Sequence, residues 1–212
     1  MYSHHLSTFT SSTSTPPKGS YLRKDIGERK DVDIYEGDCN SILLDKVFPK
    51  VRREDYRRAI CVLDPYGLHL NWSVIAEAGR MKSVEIFLNF PVADMNRNVL
   101  WHNPNAVDPE HAARMTTFWG DETWRTVAYV PTTQQHLFGT NQPELLKTEN
   151  ETIATAFRQR LQKVAGFNYV PPPIPMRNKN NAIVYYLFFA SQKQTAGKIV
   201  EQIFDSYRHR KT

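Results

Sequence analysis

The apolar run Ala59-Ile60-Cys61-Val62-Leu63 stops abruptly at Asp64-Pro65-Tyr66-Gly67. A run apolar on both faces predicts a strand buried between helices in a parallel sheet. Asn71 to Met81 follows at helical spacing, with Asn71 or Ser73 as its cap, and Val84 to Pro91 reads as the next strand. Strand, helix and strand in succession predict a right-handed βαβ unit with parallel strands. In such sheets the ligand crevice lies off the carboxyl ends of the strands, where Asp64 falls.

Upstream, Val32 to Asp38 alternates as a short strand stopping at Gly37. Asp38 or Asn40 can cap the helix implied by Ile42, Leu43 and Val47, and a charged linker spans Lys50 to Arg58. Residues 1–20, rich in Ser and Thr before Pro16-Pro17, predict a disordered tail, and Tyr21 to Lys30 the end of a surface helix. Downstream, residues 92–150 break the strand–helix rhythm and predict a partly helical insertion. Glu149 to Ala165 is a helix with Ile153, Ala156, Phe157, Leu161 and Val164 on one stripe, ending at Gly166. Tyr169 to Met176, interrupted by prolines, is confined to an edge strand or extended segment. A turn over Arg177 to Asn181 leads into the strand Ala182 to Ala190. A last helix, Thr195 to Tyr207, turns Ile199, Val200, Ile203 and Phe204 to the core.

Composition narrows the picture modestly. At 212 residues and 41% hydrophobic, one sizeable domain with its own core is expected. The formal charge of +5 permits an anionic partner without requiring one. No apolar run is long enough for a membrane span and no secretory signal opens the chain, so a cytoplasmic protein with no membrane partner is expected. The only two cysteines, Cys39 and Cys61, do not make a disulfide framework and read as small buried residues. His102, Asp108, Glu110 and His111 match no metal-ligand spacing, so no metal site is expected.

The order of these blocks resembles the C-terminal two thirds of a class I S-adenosylmethionine-dependent methyltransferase. More closely, Tyr35-Glu36-Gly37-Asp38-Cys39-Asn40, Leu63-Asp64-Pro65-Tyr66-Gly67-Leu68, Pro175-Met176-Arg177-Asn178 and Tyr186-Leu187-Phe188-Phe189-Ala190-Ser191 resemble the three-Cys-motif partner proteins, over Tyr21 to Tyr207. The resemblance implies a Rossmann-like three-layer αβα sandwich. It lacks its first two strands and the glycine-rich cofactor turn, and it carries the 92–150 insertion after the strand ending at Phe90. In the family order 3-2-1-4-5-7-6, the missing strands would leave a gap of roughly 15 Å. The chain would rearrange, dock a partner that supplies the strands, or be a fragment of a longer product, and the last is the favoured expectation. S-adenosylmethionine is the implied cofactor, although the chain is expected to be inactive alone. A companion three-Cys-motif protein is the implied partner, with nucleic acid as the implied substrate class. The alternative is a non-enzymatic module that binds that companion.

The same resemblance assigns candidate residues. Asp64, Pro65 and Tyr66 would hold an acceptor amino group: the carboxylate and a proline carbonyl accept from the NH2, and the ring stacks on the base, as in reading an extruded base. This tip is one proline short of the amino-methyltransferase pattern, and it can also be a plain turn leaving a strand. Asp38 and Cys39 are the implied cofactor contacts, with helix capping as the competing role of Asp38. Phe90 could wall the target pocket or belong to the core. Arg97, between Asn96 and Asn98, could contact phosphate or sit in a solvated loop. Arg177 and Asn178 could form a basic rim or simply make a turn.

Overall fold

The computed structural model describes Arg29, residues 31–131 and residues 145–208. The predicted tail and the residues 21–28 of the predicted surface helix lie outside the described residues. The chain divides into two compact units, Met1–Lys50 and Val51–Thr212.

In the first unit, Asp38 caps a short helix, α1 (Cys39–Ile42), by accepting from the Ser41 backbone N–H at 3.0 Å. The turn continues in a wider coil over Leu43–Val47 and a tight one over Phe48–Lys50. Val32 to Gly37 joins no strand, contrary to the alternation there. Alternation alone does not make a strand, since a ladder also needs regular pairing. Here Lys50 Nζ donates to Tyr35 Oη at 2.7 Å.

The second unit is mixed α/β. Strand β1 (Ala59–Leu63), helix α2 (Trp72–Met81) and strand β2 (Val84–Phe90) form the predicted unit, with β1 parallel to β2 in the register Ala59↔Val84 to Leu63↔Leu88. After β2 come α3 (Val92–Asn98), α4 (Pro109–Trp119), α5 (Trp124–Ala128) and a hairpin of β3 (Tyr129–Pro131) with β4 (Leu145–Lys147). Helix α6 (Asn150–Lys163) precedes β5 (Ile174–Arg177), β6 (Ile183–Ala190) and α7 (Gln194–Arg208). The main sheet runs β1-β2-β6-β5, and β6 is antiparallel to both its neighbours. Proline-interrupted β5 sits at the edge, as proline's missing donor requires. The 92–150 insertion is partly helical.

Alternation along the strands sends side chains to two faces. On one face Ile86, Leu88, Phe90 and Phe188 are wholly buried against α2, α4 and α6. Phe157 of α6 sits at the hub, with ring centroids 4.6 Å from Phe90, 5.5 Å from Phe188, 5.7 Å from Phe118 and 5.9 Å from Trp72. Arg160, one turn on, pins the same helices. Its Nε donates to the Trp119 carbonyl at 3.0 Å, its Nη2 meets Asp121 at 2.9 Å, and its guanidinium lies 4.9 Å from the Trp72 ring. Gly120 makes this possible, because its φ is +102° and a Cβ would come within 2.6 Å of Trp72. On the opposite face, Val200 and Phe204 of α7 pack on Phe189, Ile174 and Phe87.

Four expectations about burial are corrected. Strand β1 is not enclosed on both faces: Ile60 is 65% and Val62 69% exposed. The reason is placement. Strand β1 ends the described sheet, and the core of α7 rests on β5, β6 and β2 instead. For the same reason only half of the predicted α7 stripe is buried, since Ile199 and Ile203 are exposed. Val164, just past the end of α6, is likewise exposed, and Ala154, outside the predicted stripe, is buried. Cys39 and Cys61 form no disulfide and are half-buried rather than buried.

Truncating the hub, Phe157→Ala, is expected to lower unfolding free energy by about 4 kcal/mol, because five rings lose their common neighbour; urea denaturation measures it. Asp121 gives a pH test. Burial pushes its carboxyl up, but hydrogen bonds from Thr123 and Arg160 outweigh that and hold it below its ordinary value. A depressed folded value stabilises above the unfolded one, near pH 4, and is lost as pH falls through the folded value. Asp121→Asn should therefore be less stable than the parent at neutral pH and lose less on acidification. Parallel acid melts check this.

Candidate functional site

Because β1 and β2 are parallel, both carboxyl ends lie at one edge of the sheet. The turn leaving β1 is held by buried Leu68 and Leu70, which leaves Tyr66 84% exposed at its tip. Gly67 has φ +57°, and a Cβ there would lie 2.8 Å from Asp94 Oδ2 of α3, so glycine lets helix and turn meet. Asp64 follows the last residue of β1, and Asn89 of β2 donates to its Oδ1 at 2.7 Å. Among the described residues the second Asp64 oxygen accepts no hydrogen bond. It remains available to a donor from solution.

Beside this turn lies a pocket of about 260 Å³ lined by Tyr66, His69, Asp94, Arg97, His111 and Arg114, among others. Tyr66 and His69 stack with centroids 6.3 Å apart and planes 26° from parallel. Asp94 is not wholly free for a ligand, since its Oδ1 accepts from Asn98 Nδ2 at 2.9 Å. Arg114 shares its guanidinium with Glu110 one helical turn away. Arg97 is exposed and enters no ion pair among the described residues. The wall is polar, with two guanidinium groups and two imidazoles facing one carboxylate. That suits an anionic or amide-rich ligand more than an apolar one.

The predicted residues separate as follows. Tyr66 and Arg97 line one pocket, and Asp64 and Pro65 belong to the same turn. Asn96, Arg97 and Asn98 are on helix α3 rather than in a solvated loop, and Asn96 is engaged by Asn150 and Lys147. Phe90 has no exposed surface and packs among Phe118, Phe157 and Phe188, so it backs the site from the core. The antiparallel register Phe90↔Tyr186 brings the β5–β6 turn to the same sheet edge. There Arg177 donates to the Asn181 carbonyl at 2.8 Å, and Asn178 Oδ1 accepts from Asn180 and Ala182. Both residues serve the turn and do not line the pocket.

Asp38 and Cys39 belong to the Met1–Lys50 unit. Burial pushes the Asp38 carboxyl up, but donors from Ser41 and Asn40 outweigh it and hold the group below its ordinary value. Burial, then the Asp38 charge, pushes the Cys39 thiol up. For S-adenosylmethionine these residues are a poor fit. The Asp38 oxygens are occupied by local donors, and among the described residues no glycine-rich turn follows a strand. No chemical step is derived through that group.

His69, Asp94, His111 and Arg114 escaped the sequence reading as binding residues. The legible trace was helical spacing, Asp94 with Arg97 and Asn98, and His111 with Arg114, but nothing local says that two helices face one turn. Among the described residues no group of three or more His, Cys, Asp or Glu is gathered to hold a metal ion, and no helix is long and apolar enough to cross a membrane. Comparison with protein-family models, with curated proteins and with solved structures found no match.

Gly67→Ala is expected to cost about 1 kcal/mol from its backbone alone, plus the contact with Asp94. Adding Asp94→Ala should recover only the second part. A double-mutant cycle from thermal melts measures the coupling, and strict additivity would remove Gly67 from its role of letting α3 approach.

Proposed function

We propose that the Val51–Thr212 unit is the substrate-side portion of a class I methyltransferase-like fold of the three-Cys-motif partner kind, presenting an acceptor amino group at Asp64-Pro65-Tyr66. The observation that supports it best is the sheet order β1-β2-β6-β5 with its closing hairpin. In this reading it corresponds to the 4-5-7-6 half of the family order, with the Asp64 turn at the carboxyl end of the strand in position 4. In this reading the unengaged Asp64 oxygen and the Pro65 carbonyl accept from an exocyclic NH2. The exposed Tyr66 ring stacks on the base, as in recognition of an extruded nucleotide. Asn89 holds the Asp64 carboxylate in place, and Arg97 meets the attached phosphate. In this reading the residues that would cradle S-adenosylmethionine belong to a companion protein or to strands other than those described.

A second reading has its own support. The exposed Ile60 and Val62 of β1 favour a non-enzymatic module that buries this face against the companion three-Cys-motif protein.

Calorimetric titration of the chain with S-adenosylmethionine is expected to show no binding, and micromolar binding would overturn the assignment of the cradle to another protein or segment. The acceptor site is tested with 2-aminopurine nucleotide, whose fluorescence falls on stacking. Quenching is expected with the chain, with at least about tenfold weaker affinity in Tyr66→Ala and in Asp64→Ala. Equal affinity in both variants would remove the tip from substrate recognition.

A further inference from the structure

The opposite edge of the same sheet holds a larger cavity, about 570 Å³, at the amino ends of β1 and β2. It lies roughly 16 Å of strand from Asp64. Arg53, Arg58, Lys82 and Lys193 line it, with Glu85 as the one acid and Ile60 as part of its floor. Among the described residues none of the four cations enters an ion pair. Glu85 is occupied, its Oε1 accepting from Ser191 Oγ at 2.9 Å. Arg58 is oriented by donating to the Lys82 carbonyl at 2.7 Å, and Lys82 stands in a left-handed conformation at the end of α2, φ +56°. Unneutralised cations converging on a concave surface form a site for phosphate oxygens.

A second feature stands beside the first. The turn that carries Arg53 and Arg58 holds Tyr56 at its tip, 96% exposed with φ +57°, its backbone N–H donating to the Arg53 carbonyl. A tyrosine ring held out in water gains nothing for the fold. An aromatic platform among phosphate-binding cations is the arrangement that recognises single-stranded nucleic acid. Bases stack on the ring and the backbone tracks the charged groove. An acidic peptide would use the cations and leave the ring idle.

We propose that the cavity at the amino ends of β1 and β2 is a binding site for single-stranded nucleic acid, in which Arg53, Arg58, Lys82 and Lys193 hold phosphates and Tyr56 stacks on a base. The site is independent of the methyltransferase reading and of the Asp64 turn.

Fluorescence anisotropy of the full chain with a labelled oligothymidylate of about twelve nucleotides tests it. Micromolar binding is expected. The log–log salt slope should be about −3 between about 50 and 200 mM salt, as four single-strand phosphate contacts require. The double variant Arg53→Gln, Lys193→Gln, at two exposed positions, should bind at least about tenfold more weakly and reduce the slope magnitude by about 1.4. Tyr56→Ala should lose about tenfold with the slope kept. Circular dichroism melts confirm that the variants fold. Four results would each overturn the proposal: no binding at low salt; unchanged affinity in the double variant; loss from Arg97→Gln in its place; or competition by polyglutamate or tripolyphosphate as effective as by unlabelled oligonucleotide.

Discussion

The enclosure of the Phe157 ring is the constraint on which the second unit depends. One side chain of α6 touches β2 through Phe90, β6 through Phe188, α4 through Phe118 and Trp119, and α2 through Trp72. Each aromatic side chain buries more apolar area than an aliphatic one, so the arrangement that covers Phe157 sets the positions of the helices around it. Covering it requires α4 to fold back over the carboxyl end of β2. That movement brings His111 and Arg114 toward the turn leaving β1, where α3 already contributes Asp94 and Arg97. The polar pocket is thus a by-product of packing on the other side of the same helices.

A parallel strand pair gives a sheet two chemically different edges. Carboxyl ends of β1 and β2 open into turns that can be long and carry Asp64, Pro65 and Tyr66. Amino ends receive the chain from the basic turn before β1 and from the end of α2, where Arg58 and Lys82 meet. The result is a small mixed-charge pocket on one edge and a larger cationic cavity on the other. Arg160 shows the opposite treatment of a cation. Its side chain is only 12% exposed, and carbonyl, carboxylate and ring partners surround it, so its charge serves the fold. The cations of the amino-end cavity have no carboxylate partner among the described residues.

Much of the second unit was legible in the chain because its signals are local. Apolar runs ended by Pro or Gly marked β1 and β2, the long apolar run after the Arg177–Asn181 turn marked β6, helical stripes marked α2, α6 and α7, and clustered prolines put β5 at an edge. The Asp64 turn was legible for the same reason, since a strand end is marked by where the apolar run stops. The failures are equally physical. Val32 to Gly37 alternates correctly but is not a strand, because alternation does not fix the regular pairing that a ladder needs. Ile60, Val62, Ile199 and Ile203 have core character yet are exposed, because burial depends on which layer covers them.

The sequence by itself determined β1, α2, β2, α6, β6 and α7 and their order, since each follows from backbone chemistry and side-chain period within a short stretch. Only the tertiary structure decided which polar residues meet. The turn after β1 joins helices α3 and α4 to make one pocket, while the turn before β1 joins the end of α2 and the end of β6 to make the other. Those meetings depend on how distant segments share the aromatic core around Phe157, a constraint that no local spacing records.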